Sequence, residues 1–529
     1  MPSPFRWPSS GPRRPIHSAP PVAFLAAALL VASAAMAAAQ ELPGYTRVEP
    51  PRRARAAETL PPPLAGAPNG LDPLFSASAA AAEDEGRLAA LREHNAAGAG
   101  RIMNGFVRGT ADRLVRIGSD LRALEGSDWR LQILGDTAVW AASVSIEEAW
   151  ALRLELVDVD LPPGARLWIS SPSRPEFLAG PFTADEVAED GTLWLPPAPG
   201  PEVVIEVRAD VDELLRGDQA VVTLRLGRVA ELFDTAPTPE NLADAPEAVC
   251  APDGRGTGPS TWLACKVDAT CVSPGTLPPV ANLREAVALL FFMEDGISYS
   301  CSGALLADQW QTGIPYLLTA NHCFATQAAA SSLTSYFDYR SDTCNGSAPD
   351  LLSVPRVNGS TLLATSDLSD FTMVQLSTNP AGTNHYLGWT AQPPEAGEIV
   401  HRVAHPAAMP QHYLSTTFFE GNNGIGCAVR PRDRFHYGTR LEGSSTGGAS
   451  GGPAIVGRNG GLLVGQTYGY CFFQPGADLC DGSTFDQMEG SFETTHFHVS
   501  PWLGNFTPSE IFADGYESGD LSAWSSAAP

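Results

Sequence analysis

Lysine is almost missing from this sequence: Lys266 is the single one, and the other 32 of the 33 Lys+Arg residues are arginine. A GC-rich genome accounts for that bias and for the many Ala, Pro and Gly residues. Positive charge is scarce overall, and the formal net charge is -26. Such a chain lacks the clustered Lys and Arg that phosphate binding needs, which excludes nucleic acid as a partner. It equally lacks a basic face for docking on an anionic bilayer. Beyond the N-terminus no apolar run is long enough to span a membrane, and no internal repeat is present. A metal-ligand cluster is also missing. His496 and His498 alternate as on a strand, but no third ligand lies nearby, so they are read as strand residues, and no metal or cofactor is expected.

What is present is a foldable globular composition, 44% hydrophobic and 17% charged, over 529 residues. That length exceeds one ordinary core, so about two or three domains are expected. Residues 1–39 have the layout of a secretory signal peptide: Arg6, Arg13 and Arg14, an apolar run from Val22 to about Ala35, and small residues Ala37 to Ala39 before Gln40. The chain is therefore expected to be secreted, with no membrane contact once the signal is removed. Nine cysteines fit an oxidising compartment. Their odd number leaves one over, for which Cys250 is the candidate because a Gly/Pro-rich stretch separates it from the rest.

Composition divides the remainder. Residues 40–120 read as a pro-segment, a Pro/Arg-rich leader followed by a helix over 76–95. Residues 121–234 carry short alternating apolar stretches, such as Leu152 to Leu156 and Val203 to Val207, broken by Pro and Gly turns. They predict a β-sandwich-like pro-domain. Residues 235–264 form a linker with a processing site, 265–506 a strand-rich domain with eight of the nine cysteines, and 507–529 a flexible tail.

Three segments of 265–506 carry chemistry. In Gly447-Gly448-Ala449-Ser450-Gly451-Gly452-Pro453 a serine sits among glycines that let the backbone turn sharply. The amides of Gly448 and Ser450 can then aim at one point, as an oxyanion hole requires. In Tyr316-Leu317-Leu318-Thr319-Ala320-Asn321-His322-Cys323 an apolar strand delivers a histidine, and the adjacent cysteine can pin it through Cys301. In Ser369-Asp370-Phe371-Thr372 an aspartate opens an apolar strand and could orient the imidazole; Asp367 is its rival. His322, Asp370 and Ser450 are thus the candidate catalytic residues, in the chain order of chymotrypsin-type proteases.

With these residues in view, 265–506 resembles bacterial lysyl endopeptidases, a branch of the trypsin-like serine proteases. The resemblance is carried by Cys265-Lys266-Val267-Asp268-Ala269-Thr270-Cys271, Tyr299 to Leu306, Thr319 to Cys323, His405-Pro406 and Leu463-Val464-Gly465-Gln466. It implies an all-β fold of two six-stranded antiparallel β-barrels with the active site between them. It implies a monomeric endopeptidase that cuts proteins or peptides after Lys, or after Lys and Arg, and is held inactive as a zymogen with its own pro-domain. It further implies disulfides Cys301–Cys323, Cys271–Cys344 and Cys265–Cys471, with Cys427 and Cys480 left over and open to pairing with each other.

Ala449 stands where trypsins carry the aspartate that binds the freed N-terminus, so activation has to proceed differently, by removal of the pro-segment. Position 444 is serine, not a pocket aspartate. In the lysyl branch the pocket carboxylate follows the serine in an Asp-Gln-Tyr-Gly-type stretch, similar to Asp486-Gln487-Met488-Glu489-Gly490 here. Asp486 is the resulting pocket candidate, with Glu442, Asp478 and Asp481 as rivals, and Thr467, Tyr468 and Gly469 as the substrate-binding wall. In this light the scarcity of lysine has a second explanation, self-protection. A protease of non-basic specificity and a catalytically silent binding protein on the same fold are the alternatives.

Overall fold

The computed structural model describes residues 45–47, 73–78, 82–96, 100–117, 129–210, 222–234, 265–272, 280–381, 385–419, 430–472, 480–483 and 485–504. The expected signal peptide, the 235–264 linker, the 507–529 tail, Cys250, Cys427 and Asp478 lie outside these residues.

The N-terminal half is a two-sheet sandwich. One sheet is built from Pro73–Ala77, Thr137–Ile146, Glu202–Asp210, Arg166–Ser171 and Arg174–Phe182, with Arg130–Leu134 on Thr137–Ile146. The other contains Ala151–Asp160, Val222–Leu232 and Ile102–Ile117. Trp140, Leu152, Leu154, Leu167, Ile205 and Leu224 bury their side chains between the sheets, the strand periodicity placing one face of each inward. Val203, Ile205 and Val207 face the core between the sheets, and Val204 and Glu206, on the opposite face of this central strand, are buried as well. The helix is Ala82–Ala96, and the sandwich starts earlier than its expected boundary at 121: Pro73–Ala77 and Ile102–Ile117 already belong to it. Gly and Asn inside 102–117 hide that strand in a propensity reading.

The C-terminal half has the two barrels. In the first, Ile297–Leu306, Val287–Glu294, Thr334–Phe337, the bent pair Arg356–Asn358 and Ser360–Ser366, Phe371–Leu376 and Tyr316–Thr319 pair in a closed antiparallel ring. The tight turn at Asp295-Gly296, both at positive φ, suits the twist of a two-residue hairpin. In the second, His412–Phe418, Ile399–Ala404, Pro453–Val456, Leu462–Phe472, Phe485–Ser491 and Phe435–Gly443 close likewise.

Phe492–Leu503 is a helix, not the strand expected to carry His496 and His498. Its buried Phe492, His496, Val499 and Leu503 follow a three- to four-residue spacing, which the local His-Phe-His alternation masked. His496 packs 4.7 Å from Trp389, ring to ring, with Nε2 2.8 Å from the Gly504 carbonyl.

Sandwich and first barrel are continuous. Ile102, Met103, Gly105 and Phe106 pair antiparallel with Ser300, Tyr299, Ser298 and Ile297. A shared apolar patch of Ala151, Leu232, Leu289, Phe291 and Tyr336 lies beside this seam.

Candidate active site

Strand Tyr316–Thr319 ends directly before His322, and a disulfide between Cys323 and Cys301 ties the turn to strand Ile297–Leu306. Thr319 Oγ1 donates to the Ser302 carbonyl at 2.7 Å. His322 is thereby held against Asp370. Its backbone N–H donates to Asp370 Oδ1 at 2.9 Å, and Nδ1 lies 2.7 Å from Oδ2. Asp370 is buried and sits at positive φ just before strand Phe371–Leu376, a conformation Asp tolerates. Asp367 is exposed, so the geometry selects Asp370 of the two.

The second barrel holds the Asp370 turn in place. The side-chain amide of Gln466 donates to the carbonyls of Ser369 (2.6 Å) and Asp370 (3.2 Å), and Ser369 Oγ lies 2.9 Å from Thr495 Oγ1. At Gly490 a Cβ would stand 1.8 Å from the Ser369 carbonyl oxygen, so only glycine lets the two barrels meet there.

Ser450 lies in the Gly-rich turn as expected. Its carbonyl accepts from the Ser302 amide at 2.8 Å, and Ser302 Oγ donates to the Gly448 carbonyl at 2.9 Å. Ser302 therefore fastens the serine loop to the histidine barrel. Ser450 Oγ and His322 Nε2 both border Gly100: a methyl on Gly100 would lie 3.2 Å from Nε2 and 3.9 Å from Oγ. Nε2 is buried and makes no hydrogen bond, so the His322–Ser450 hydrogen bond is not formed in this arrangement, with Gly100 alongside. The Gly448 amide donates to the Gly100 carbonyl at 2.6 Å.

Residues 261–480 match the family model of the lysyl endopeptidase C-terminal domain. This part of the chain is thus similar to the C-terminal domain of lysyl endopeptidases, and its two barrels have the trypsin-like serine protease fold. The lysyl endopeptidase of Pseudomonas aeruginosa is 27% identical over 267 residues, 50% of this chain and 53% of that protein. The chain thus spans about half the length of the curated relative it matches. Among solved structures, a thermostable serine protease AL20 from an extremophilic microorganism is 15% identical over 42% of this chain and 99% of its own, with a TM-score of 0.29. The active form of the Rv3671c protease of M. tuberculosis is 15% identical over 43% and 85%, with a TM-score of 0.28.

The lysyl endopeptidase pattern holds for Cys301–Cys323 and Cys271–Cys344, but not for Cys265, which bonds Cys480 and not Cys471. Cys471 is disulfide-bonded too, and a Cys427–Cys480 bridge is ruled out. Arg440 donates to the Cys480 carbonyl at 2.9 Å and so holds this cysteine within disulfide reach of Cys265, the two Cα atoms being 5.5 Å apart.

Of the family-inferred pocket residues, Asp486 is buried on strand Phe485–Ser491, opposite Cys471 and Thr439. Its carboxylate has one long contact, 3.5 Å from Thr439 Oγ1, and among the described residues it makes no ion pair. Burial pushes its pKa up to about 6, against a weaker opposite pull from Arg432. Glu442 and Asp481 are exposed. Glu489, three residues on, is fully committed to an ion pair with buried Arg402. Tyr468 meets the His322 ring edge-on at 5.6 Å, and its hydroxyl accepts from Arg430 at 3.2 Å. Thr467 is partly spent: its amide and carbonyl bond Gly452 and Gly451 within the serine loop, and the Gly469 carbonyl accepts from the Gln487 side-chain amide at 2.7 Å.

Sequence reasoning missed Ser302, Gln466 and Gly490 as positioning residues. Each acts across the barrel interface, and no local spacing signals that.

Proposed function

We propose that the chain is a secreted serine endopeptidase that hydrolyses protein or peptide substrates through an acyl-enzyme, cutting after lysine, or lysine and arginine. The observation that carries this reading is the buried Asp370 carboxylate clasping His322 at 2.7 Å, with the free Nε2 turned toward Ser450. With a substrate in place of Gly100, His322 takes the hydroxyl proton of Ser450 as it attacks the peptide carbonyl. Asp370 keeps Nδ1 protonated and stabilises the imidazolium. The amides of Gly448 and Ser450 hold the developing oxyanion, about 3 kcal/mol per donor. His322 then protonates the leaving amine, and water, activated by the same base, releases the acyl group.

The lysine preference is supported by Asp486. A buried carboxylate without a cation is costly, and a substrate ammonium would supply the missing partner. Secretion is supported by the signal-like N-terminus and by the disulfides. Activation requires release of the pro-domain by a cut in 235–264. That stretch contains no lysine, and its one basic residue is Arg255.

Labelling of Ser450 by a fluorophosphonate, together with profiling of a peptide library, tests the proposal. Cleavage after lysine is expected. A serine that never labels would make the protein a silent binder, and cleavage after apolar or acidic residues would defeat the lysine assignment.

A further inference from the structure

Strand Ile102–Ile117 enters the catalytic centre through its first residues. The Gly100 carbonyl accepts from the Gly448 amide at 2.6 Å, the amide assigned above to the oxyanion hole. A carbonyl held there places Gly100 at the position of the attacked residue and Arg101 directly after the scissile bond. Ile102 then pairs with Ser300 and Met103 with Tyr299, so the segment runs along the barrel edge as a leaving-side substrate strand would. Gly100 offers no side chain to a specificity pocket. The segment is held instead by Arg101: its guanidinium stacks 3.7 Å from the Tyr299 ring centroid, pairs with Glu294 and donates to the Cys323 carbonyl at 2.9 Å.

We propose that Glu294, Tyr299 and the Cys323 carbonyl form a subsite for an arginine side chain directly after the scissile bond of a peptide substrate, which Arg101 of the chain itself fills. The proposal rests on the serine-protease reading. All three partners belong to the protease domain, so they remain when the pro-segment leaves. They then present a carboxylate, an aromatic face and a carbonyl oxygen that have lost their cation. A planar guanidinium satisfies all three at once, because it can stack and donate in its own plane. A lysine ammonium can reach one or two of them. In the unprocessed chain the same contacts keep the cleft filled.

The test uses the full chain and two readouts. The first is the rate of Ser450 labelling by a fluorophosphonate. Arg101→Ala and Glu294→Gln should each raise it at least about fivefold by loosening the segment, and Glu294→Asp, which keeps the charge, should raise it less. The second is kcat/KM of the Arg101→Ala chain on internally quenched peptides that share the residues before the bond and carry Arg, Lys, Ala or Glu after it. Arg should exceed Ala by about tenfold and Glu by more. Adding Glu294→Gln should bring the Arg/Ala ratio to about two. If that variant fails to fold, the ratio in Arg101→Ala alone decides. Labelling and hydrolysis with no preference for Arg would overturn the subsite and leave the catalytic reading standing. No labelling and no hydrolysis in any variant would overturn both.

Discussion

Asp370 and Asp486 are both buried in the protease half, and they are held in opposite ways. Asp370 accepts from the amide and ring of His322, and the turn that carries it is bound by Gln466. Asp486 has one 3.5 Å contact and, among the described residues, no ion pair. One carboxylate is preorganised with its partner already present. The other has no such partner among the described residues, and burial raises its pKa to about 6. The contrast teaches that burial alone does not assign a role. A satisfied carboxylate supports a positioning part, and an unsatisfied one points to a ligand.

The difference can be broken at either end. Asp370→Asn should lower kcat by about 10³–10⁴, because the amide cannot hold the same imidazole tautomer; steady-state kinetics of the processed enzyme on a lysine peptide check this. Asp486→Asn should leave the acyl-transfer machinery intact and cut kcat/KM for lysine peptides by about 10²-fold relative to apolar ones. Its wild-type counterpart should gain lysine selectivity as pH rises through about 6, where Asp486 ionises. A flat pH profile of the Lys/Leu ratio would remove Asp486 from the pocket. Gln466→Leu should lower kcat about tenfold with little change in KM, since the Asp370 turn loses its donor while the substrate wall stays.

The smallest effect is on stability. The Asp486 pKa is raised in the folded chain, so the folded state favours the protonated form. The associated stability is present below the ordinary carboxylate pKa and lost as pH rises through about 6. Asp486→Asn should therefore melt higher than wild type at pH 8 and at the same temperature at pH 4, by calorimetry.

How legible each part was follows from the range of the interactions involved. His322, Asp370 and Ser450 each sit at a strand end or a glycine turn with a local pattern, and all three could be named from short segments. Asp486 was visible only through family likeness, as its strand has no catalytic motif of its own. Helix Phe492–Leu503 was misread because two histidines flanking a phenylalanine imitate a strand over three residues. The Cys265 partner was also misassigned, since two cysteines nine residues apart, Cys471 and Cys480, are equivalent in sequence and differ only in where their loop carries them.

The sequence by itself singled out the candidate nucleophile, base and carboxylate, the all-β character and the Cys301–Cys323 bridge, because local backbone demands and residue chemistry leave few alternatives at those positions; Cys271–Cys344 came from the family resemblance. Only the tertiary structure decided that Gln466 and Ser302 brace the catalytic loops across the barrel interface. Only it decided that Gly100 and Arg101, more than 200 residues before His322, fill the cleft. Contacts at such separations are set by the closing of both barrels and the docking of the sandwich strand, and no window of sequence contains them.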